Sequence, residues 1–183
     1  MLDLKESLRK KANELVSNAK VLNTILINWE APIQIKCSDL LSKPAIEEKD
    51  YFKNLKKLSK HPVIYYFKIK SQHNSNLILN SLRKYKEENK RSCPKIDDKR
   101  NKESIFLYCG SIKKGLQDRF IQHLGFGSEH TYALQLCHWA KEQNLELEFH
   151  YAKLDVEYKD FTELVESALA DKIEPLVGKI ALT

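Results

Sequence analysis

The chain of 183 residues is 42% hydrophobic and 31% charged with a mean hydropathy of −0.51, values that suit one globular domain and argue against a membrane protein. The start MLDLKESLRKK lacks the apolar stretch of a secretion signal, and the four cysteines form no Cys-x-x-Cys pair, so we expect a cytoplasmic protein with reduced thiols. The net charge of +6 is unevenly divided, because residues 1–100 carry 22 Lys and Arg against 12 Asp and Glu, which favours either a polyanionic partner or a solvated lysine-rich surface.

Residues 1–60 predict an N-terminal helical extension. Leucine and alanine recur at helical spacing over residues 2–28, a break follows at Glu30-Ala31-Pro32, and a second helix is expected from Pro44 to Lys60. Packing of their apolar stripes on the rest of the chain is the plainer explanation. A role in binding another protein is the alternative.

Residues 61–183 predict an α/β domain of the α+β type, with a three-stranded sheet flanked by helices. Alternating, β-branched and aromatic residues predict the strands 62–69, 104–109 and 145–151. A polar and basic insertion, residues 71–103, separates the first two strands and contains a helix around Leu77–Lys90. Apolar stripes and capping residues predict the helices that follow, over 116–124, from Ser128 to Ala140 and from Asp160 to Ile173.

Several side chains in this domain are candidates for chemistry, although each has a plainer explanation. Arg119 and His123 lie four residues apart on one helix face, where they could hold a phosphate or simply be solvated. Glu166 lies at the margin of the apolar face of the last helix, so it needs a cationic partner or a metal. Tyr65 and Tyr108 end two strands, where tyrosines commonly serve packing.

The order and spacing of these residues resemble the GIY-YIG nuclease superfamily over about residues 62–180. The two signatures read VIY at 63–65 and YCG at 108–110, and Arg119 follows nine residues after the second. The chain departs from the family pattern in its long insertion and in the identities of three residues, Val63, Cys109 and Gly178, the last replacing a frequent asparagine.

The resemblance implies a divalent-metal-dependent DNA endonuclease with one Mg²⁺ or Mn²⁺ per active site. Glu166 would bind the metal, Arg119 would neutralise the charge on phosphorus, and Tyr65 or Tyr108 would orient or deprotonate water. His123 is the other candidate base, and Tyr132 occupies a position where some members place a further active-site residue.

The basic half would then contact DNA, expected to be double-stranded. The residues expected at this interface are Lys84, Lys86, Lys90, Arg91, Lys113 and Lys114. The sequence leaves a homodimer open. A catalytically silent nucleic-acid-binding module on the same scaffold is the alternative, motivated by Gly178 and by the insertion.

Overall fold

A computed structural model describes residues 4–89, 91–97 and 103–178 of the chain. Within these ranges the protein is a mixed α/β structure of α-helices around one antiparallel sheet. The strands are β1 Ile33–Lys36, β2 Val63–Ile69, β3 Phe106–Ile112 and β4 Glu146–Lys153. The helices are α1 Leu4–Leu22, α2 Lys43–Glu47, α3 Asp50–Lys57, α4 Ser75–Asn89, α5 Leu116–Leu124, α6 Leu136–Trp139 and α7 Thr162–Ile173.

The sheet has four strands in the order β1-β4-β2-β3, so the prediction of three strands is wrong. The additional strand is β1, which comes from the N-terminal extension and pairs with β4 so that Ile33 lies opposite Phe149. Because Ile33 and Ile35 point into the core while Gln34 and Lys36 point to solvent, β1 has the alternation of a strand buried on one face.

One hydrophobic core extends across the sheet and across residue 60, where we placed a domain boundary. Phe52 and Leu55 of α3 belong to the same buried cluster as Tyr65, Phe67 and Phe149 of the sheet. On the opposite face a smaller cluster forms where Val165 of α7 packs over β2 and β4. Helix α7 therefore lies behind the sheet, while α3 and α5 lie in front of it.

The N-terminal helices differ from the prediction. Helix α1 ends at Leu22 rather than near residue 28, and none of its residues is buried. Leu22, which is partly buried, packs against the cluster that contains Val165, whereas Leu4, Leu8 and Leu15 of the apolar stripe are exposed. The single helix expected from Pro44 to Lys60 is two helices, α2 and α3, which bury Ile46, Phe52 and Leu55.

The insertion folds back against the edge of the sheet. Helix α4 buries Ile78, Leu79 and Leu82, which confirms the predicted helix. After α4 the chain returns to β3, because Ile96 bridges Val177 and Val177 bridges Tyr108. Residues near the end of the insertion are thereby placed near Tyr108, the first residue of the second sequence signature.

The helix predicted from Ser128 to Ala140 is wrong except for its last turn, α6. Gln135 has a left-handed backbone with φ of 57°, and the N–H of Leu134 donates to a side chain, His123 Nδ1, instead of a helical carbonyl. No helix within the described ranges combines the length and the apolar character that a membrane crossing requires.

Candidate active site

A cavity of about 510 Å³ lies at the β3 edge of the sheet. Four of the six candidate catalytic residues line it: Tyr108, Arg119, Tyr132 and Glu166. Tyr108 lies on β3, Arg119 on α5, Tyr132 in the segment that precedes α6, and Glu166 on α7. The fold thus brings together residues up to 58 positions apart in the sequence. Tyr65 and His123 lie directly behind this lining.

The two signature tyrosines come close together because Gly110 has no side chain. Gly110 is paired with Tyr65 across β2 and β3, and a Cβ at Gly110 would lie 2.7 Å from Tyr65 Oη and 2.9 Å from Tyr108 Cε1. No side chain fits at that distance, so the glycine of the second signature is required by the packing of the tyrosines.

Arg119 is the centre of the hydrogen-bond network. Its Nε donates to Tyr65 Oη at 3.1 Å, and its Nη2 donates to Tyr108 Oη at 3.5 Å and to the carbonyl oxygen of Tyr132 at 2.8 Å. Burial lowers the pKa of Arg119, the two tyrosines raise it, and the balance is upward, so the guanidinium stays charged. The remaining nitrogen, Nη1, donates to Gln122 Oε1 at 3.1 Å. Since all these acceptors are neutral and no described carboxylate pairs with Arg119, its positive charge is left for an anion in the cavity.

His123 is fully buried and holds Tyr65 from behind. The N–H of Leu134 donates to His123 Nδ1 at 3.2 Å, so the neutral ring carries its proton on Nε2 and donates it to Tyr65 Oη at 3.0 Å. Burial, followed by the charge of Arg119, holds the pKa of His123 well below its usual range. Both ring nitrogens are therefore engaged away from the cavity, and His123 does not suit the role of base that the sequence left open.

The two tyrosines differ in what their oxygens can accept. Tyr65 Oη already accepts hydrogen bonds from His123 and Arg119, whereas Tyr108 Oη, among the described residues, accepts from Arg119 alone, and Tyr108 lines the cavity. Burial is the main cause that raises the pKa of each hydroxyl, that of Tyr65 strongly, and both are protonated at neutral pH. Tyr108 is the tyrosine placed to receive a hydrogen bond from a bound water.

Glu166 projects from α7 to the edge of β3, where Ser111 Oγ donates to its Oε2 at 2.5 Å. Both side chains line the cavity. No cluster of three or more His, Cys, Asp or Glu side chains occurs among the described residues, so a site of all-protein ligands is absent there. One carboxylate with a neighbouring hydroxyl oxygen suits Mg²⁺ or Mn²⁺, because Mg²⁺ keeps most of its waters and takes one or two carboxylates. The donor set at Glu166 thus fits a hydrated divalent cation.

The insertion forms the opposite wall of the cavity. Lys86 of α4 and the segment Cys93-Pro94-Lys95 line it, with Cys93 and Pro94 buried and both lysines exposed. The backbone carbonyl of Lys95 accepts from the N–H of Gly178 at 2.9 Å. Two cationic side chains therefore line the same cavity as Arg119, and Lys95 Nζ lies 3.9 Å from Asp97 Oδ2.

Gly178 lies where the resembled family frequently has asparagine, and it too lines the cavity. Its φ of 117° is one that side chains rarely adopt, and a Cβ there would lie 3.1 Å from Tyr108 Cε2. The position is therefore occupied by the Tyr108 ring, and an asparagine would need both the ring and the backbone to shift.

The predicted DNA-contacting residues are spread over the surface. Of these, Lys86 alone lines the cavity within the described part of the chain. The others are engaged or separate from it: Lys84 lies 3.9 Å from Glu88, Arg91 lies 3.7 Å from Glu129, Lys113 lies 3.8 Å from Asp160, Lys114 is exposed, and Lys90 lies outside the described residues.

Ser111 is the site residue that sequence reasoning missed. It directly follows the second signature, where strand alternation places its side chain on the face opposite Tyr108 and Gly110. That alternation was the available signal, because Glu166 lies on a helix that covers the same face.

No family model, no curated protein and no solved structure matches this chain. The functional interpretation therefore depends on the geometry of the cavity.

Proposed function

We propose that the protein is a divalent-metal-dependent DNA endonuclease that hydrolyses phosphodiester bonds in the cavity at the β3 edge. The observation that carries this proposal is the convergence of Arg119, the hydroxyl of Tyr108 and the carboxylate of Glu166 on one cavity from three separate elements. A guanidinium that forms no ion pair with a described carboxylate, a water-orienting hydroxyl and a metal-binding carboxylate are the groups that phosphodiester hydrolysis needs.

Each group has a defined part in the proposed reaction. The phosphate oxygens bind Arg119, whose charge stabilises the negative charge that develops on phosphorus. Water held by Tyr108 attacks phosphorus, the bond to the 3′ oxygen breaks, and the products are a 5′-phosphate and a 3′-hydroxyl, with the proton from water accounting for the hydroxyl. A divalent cation held by Glu166 supplies Lewis-acid stabilisation of the leaving oxygen when bound.

Tyr65 and His123 act as positioning residues. Tyr65 holds Arg119 Nε, and His123 holds Tyr65, so the direction of the guanidinium depends on a buried chain of two hydrogen bonds. A mispositioned arginine would lose charge stabilisation without losing its charge.

We further propose that β2, β3, β4, α5 and α7 form a GIY-YIG-like core to which β1 adds an edge strand. The four cysteines are free, which suits the cytoplasmic location that we propose. DNA is the proposed partner, with the exposed lysines along the insertion contacting its phosphates.

The proposal is tested by incubating supercoiled plasmid with the purified protein in Mg²⁺, Mn²⁺, Ca²⁺ or EDTA, and by mapping the ends of the products. We expect conversion to nicked circles with Mg²⁺ or Mn²⁺ and none with EDTA, and 5′-phosphate ends that ligase can seal. Plasmid, linear duplex, single-stranded DNA and RNA that all stay intact while being bound would favour the silent binding module instead.

A further inference from the structure

Tyr132 is an exposed aromatic side chain held in place at the cavity. Its side chain is 70% exposed, whereas Ala133 and Leu134, which follow it, are fully buried. Its carbonyl oxygen accepts from Arg119 Nη2 at 2.8 Å, and Leu134 is fixed to His123. The backbone on which the ring stands is therefore attached to the same network that positions the arginine.

The insertion residues that line the cavity together with Tyr132 combine apolar and cationic groups. Cys93 and Pro94 line it with apolar groups, of which Cys93 is 1% exposed. Lys86 and Lys95 supply two ammonium groups, and that of Lys95 lies 3.9 Å from Asp97 Oδ2. Proteins bind single-stranded nucleic acid by combining apolar and aromatic surface, on which the bases stack, with cations that bind the phosphates.

The size of the cavity limits what can enter. Its volume of about 510 Å³ falls within the roughly 300–1,000 Å³ of pockets that hold small-molecule ligands, so it has room for one nucleotide. A base inside a duplex cannot reach such a pocket unless it is unpaired and unstacked.

We infer that Tyr132 is a nucleobase subsite, on which an unpaired base next to the cleaved phosphate stacks between the tyrosine ring and the Cys93-Pro94 wall. This inference rests on the proposed nuclease function and narrows its substrate to single-stranded or locally unpaired nucleic acid. It assigns the function of Tyr132 to its ring, whereas the sequence resemblance placed the residue in the chemistry of the active site.

Binding without turnover tests the subsite. Fluorescence anisotropy in EDTA measures the affinity of the protein for a labelled single-stranded oligonucleotide and for the same strand in a perfect duplex. The proteins compared are the wild type, Tyr132→Phe, which keeps a ring, and Tyr132→Leu, which keeps only apolar bulk. Leu41→Ala, at a side chain that is 76% exposed and does not line the cavity, is the matched surface control.

We expect Tyr132→Leu to weaken single-strand binding roughly 5- to 150-fold, the range measured for loss of one base–aromatic stack, and Tyr132→Phe to stay within about twofold of the wild type. Duplex affinity should change little in either variant. Equal losses of single-strand affinity in both variants would show that the hydroxyl is responsible, and an unchanged affinity in Tyr132→Leu would show that no base stacks on this residue. Either result overturns the inference. If this pattern holds but Mg²⁺ gives no cleavage, the catalytic proposal fails while the subsite stands.

Discussion

Replacement of His123 by leucine tests the buried hydrogen-bond chain that supports the arginine. The variant leaves the N–H of Leu134 without its acceptor, which costs about 1–3 kcal/mol of folding stability. It also removes one of the two hydrogen bonds that Tyr65 Oη accepts, which costs about 0.5–1.5 kcal/mol. We therefore expect the free energy of unfolding at pH 7.5 to fall by about 2–4 kcal/mol.

The same variant should lose a pH dependence that the wild type has. The pKa of His123 is depressed in the folded protein, so below its unfolded value near 6.5 the unfolded chain takes up a proton that the folded ring does not. The stability that this ring contributes is thus present above pH 6.5 and lost as the pH falls. If the ring stays neutral at pH 5, the free energy of unfolding of the wild type falls by about 2 kcal/mol between pH 7.5 and pH 5.

Urea unfolding of both proteins at pH 7.5 and pH 5 measures these two effects. Trp139 is a suitable fluorescent probe, because it is buried and its Nε1 donates to the carbonyl of Leu134 at 2.7 Å. His130→Leu, on the exposed part of the same segment, is the control and should change stability by less than about 0.5 kcal/mol. An equal pH dependence in wild type and His123→Leu would show that the buried-imidazole argument is wrong.

Three further predictions follow from the cavity. Gly110→Ala places a Cβ 2.7 Å from Tyr65 Oη, so we expect a loss of about 1–3 kcal/mol in urea unfolding and a loss of nicking activity; an alanine variant with normal stability and activity would contradict the packing argument. Burial raises the pKa of both tyrosines, so if a tyrosine accepts the proton of the attacking water, the cleavage rate should rise about tenfold per pH unit from pH 6.5 to 9; a histidine base would give a constant rate over that range. The double variant Lys86→Ala/Lys95→Ala should reduce the slope of log affinity against log salt by about 1.4–1.8, while Lys53→Ala, on α3 and outside the cavity, should leave it unchanged.

Much of the fold around the cavity could be predicted because its elements have strong local patterns. The β-branched and aromatic run of β2, the glycine-bounded helix α5 and the alternation of β4 lie within a few residues of their predicted bounds. Strand β1 was missed because four residues, Ile33–Lys36, are too few to show alternation, and its pairing partner β4 lies more than 100 residues away.

The errors have tertiary causes. The helix from Ser128 was predicted from a capping residue and the stripe Ala133, Leu136, Cys137 and Ala140, but His123 Nδ1 accepts a hydrogen bond from the N–H of Leu134, and the chain before α6 is a loop. The break between α2 and α3 has a local cause, because Lys49 has extended backbone angles and begins a new helix. Contacts made through side chains that are distant in sequence cannot be read from a local pattern.

The candidate site was more predictable in membership than in roles. The resemblance to the GIY-YIG superfamily implied a common site for Tyr108, Arg119 and Glu166, and all three line one cavity. His123 was a candidate base in the sequence, but in the structure it is a buried residue that supports Tyr65. This role depends on its tautomer, which is set by the hydrogen bond from the N–H of Leu134 and cannot be predicted from sequence spacing.

The proposed role of Glu166 in phosphodiester hydrolysis is tested by comparing two glutamates on one helix. Glu166 lies at the cavity, and Glu163, three residues earlier on α7, is exposed. We expect Glu166→Gln to reduce the initial rate of Mg²⁺-dependent plasmid nicking at least ~100-fold with DNA affinity retained, and Glu163→Gln to nick at the wild-type rate. Equal rates in Glu166→Gln and Glu163→Gln would contradict the assignment of the cavity as a metal-dependent nuclease site.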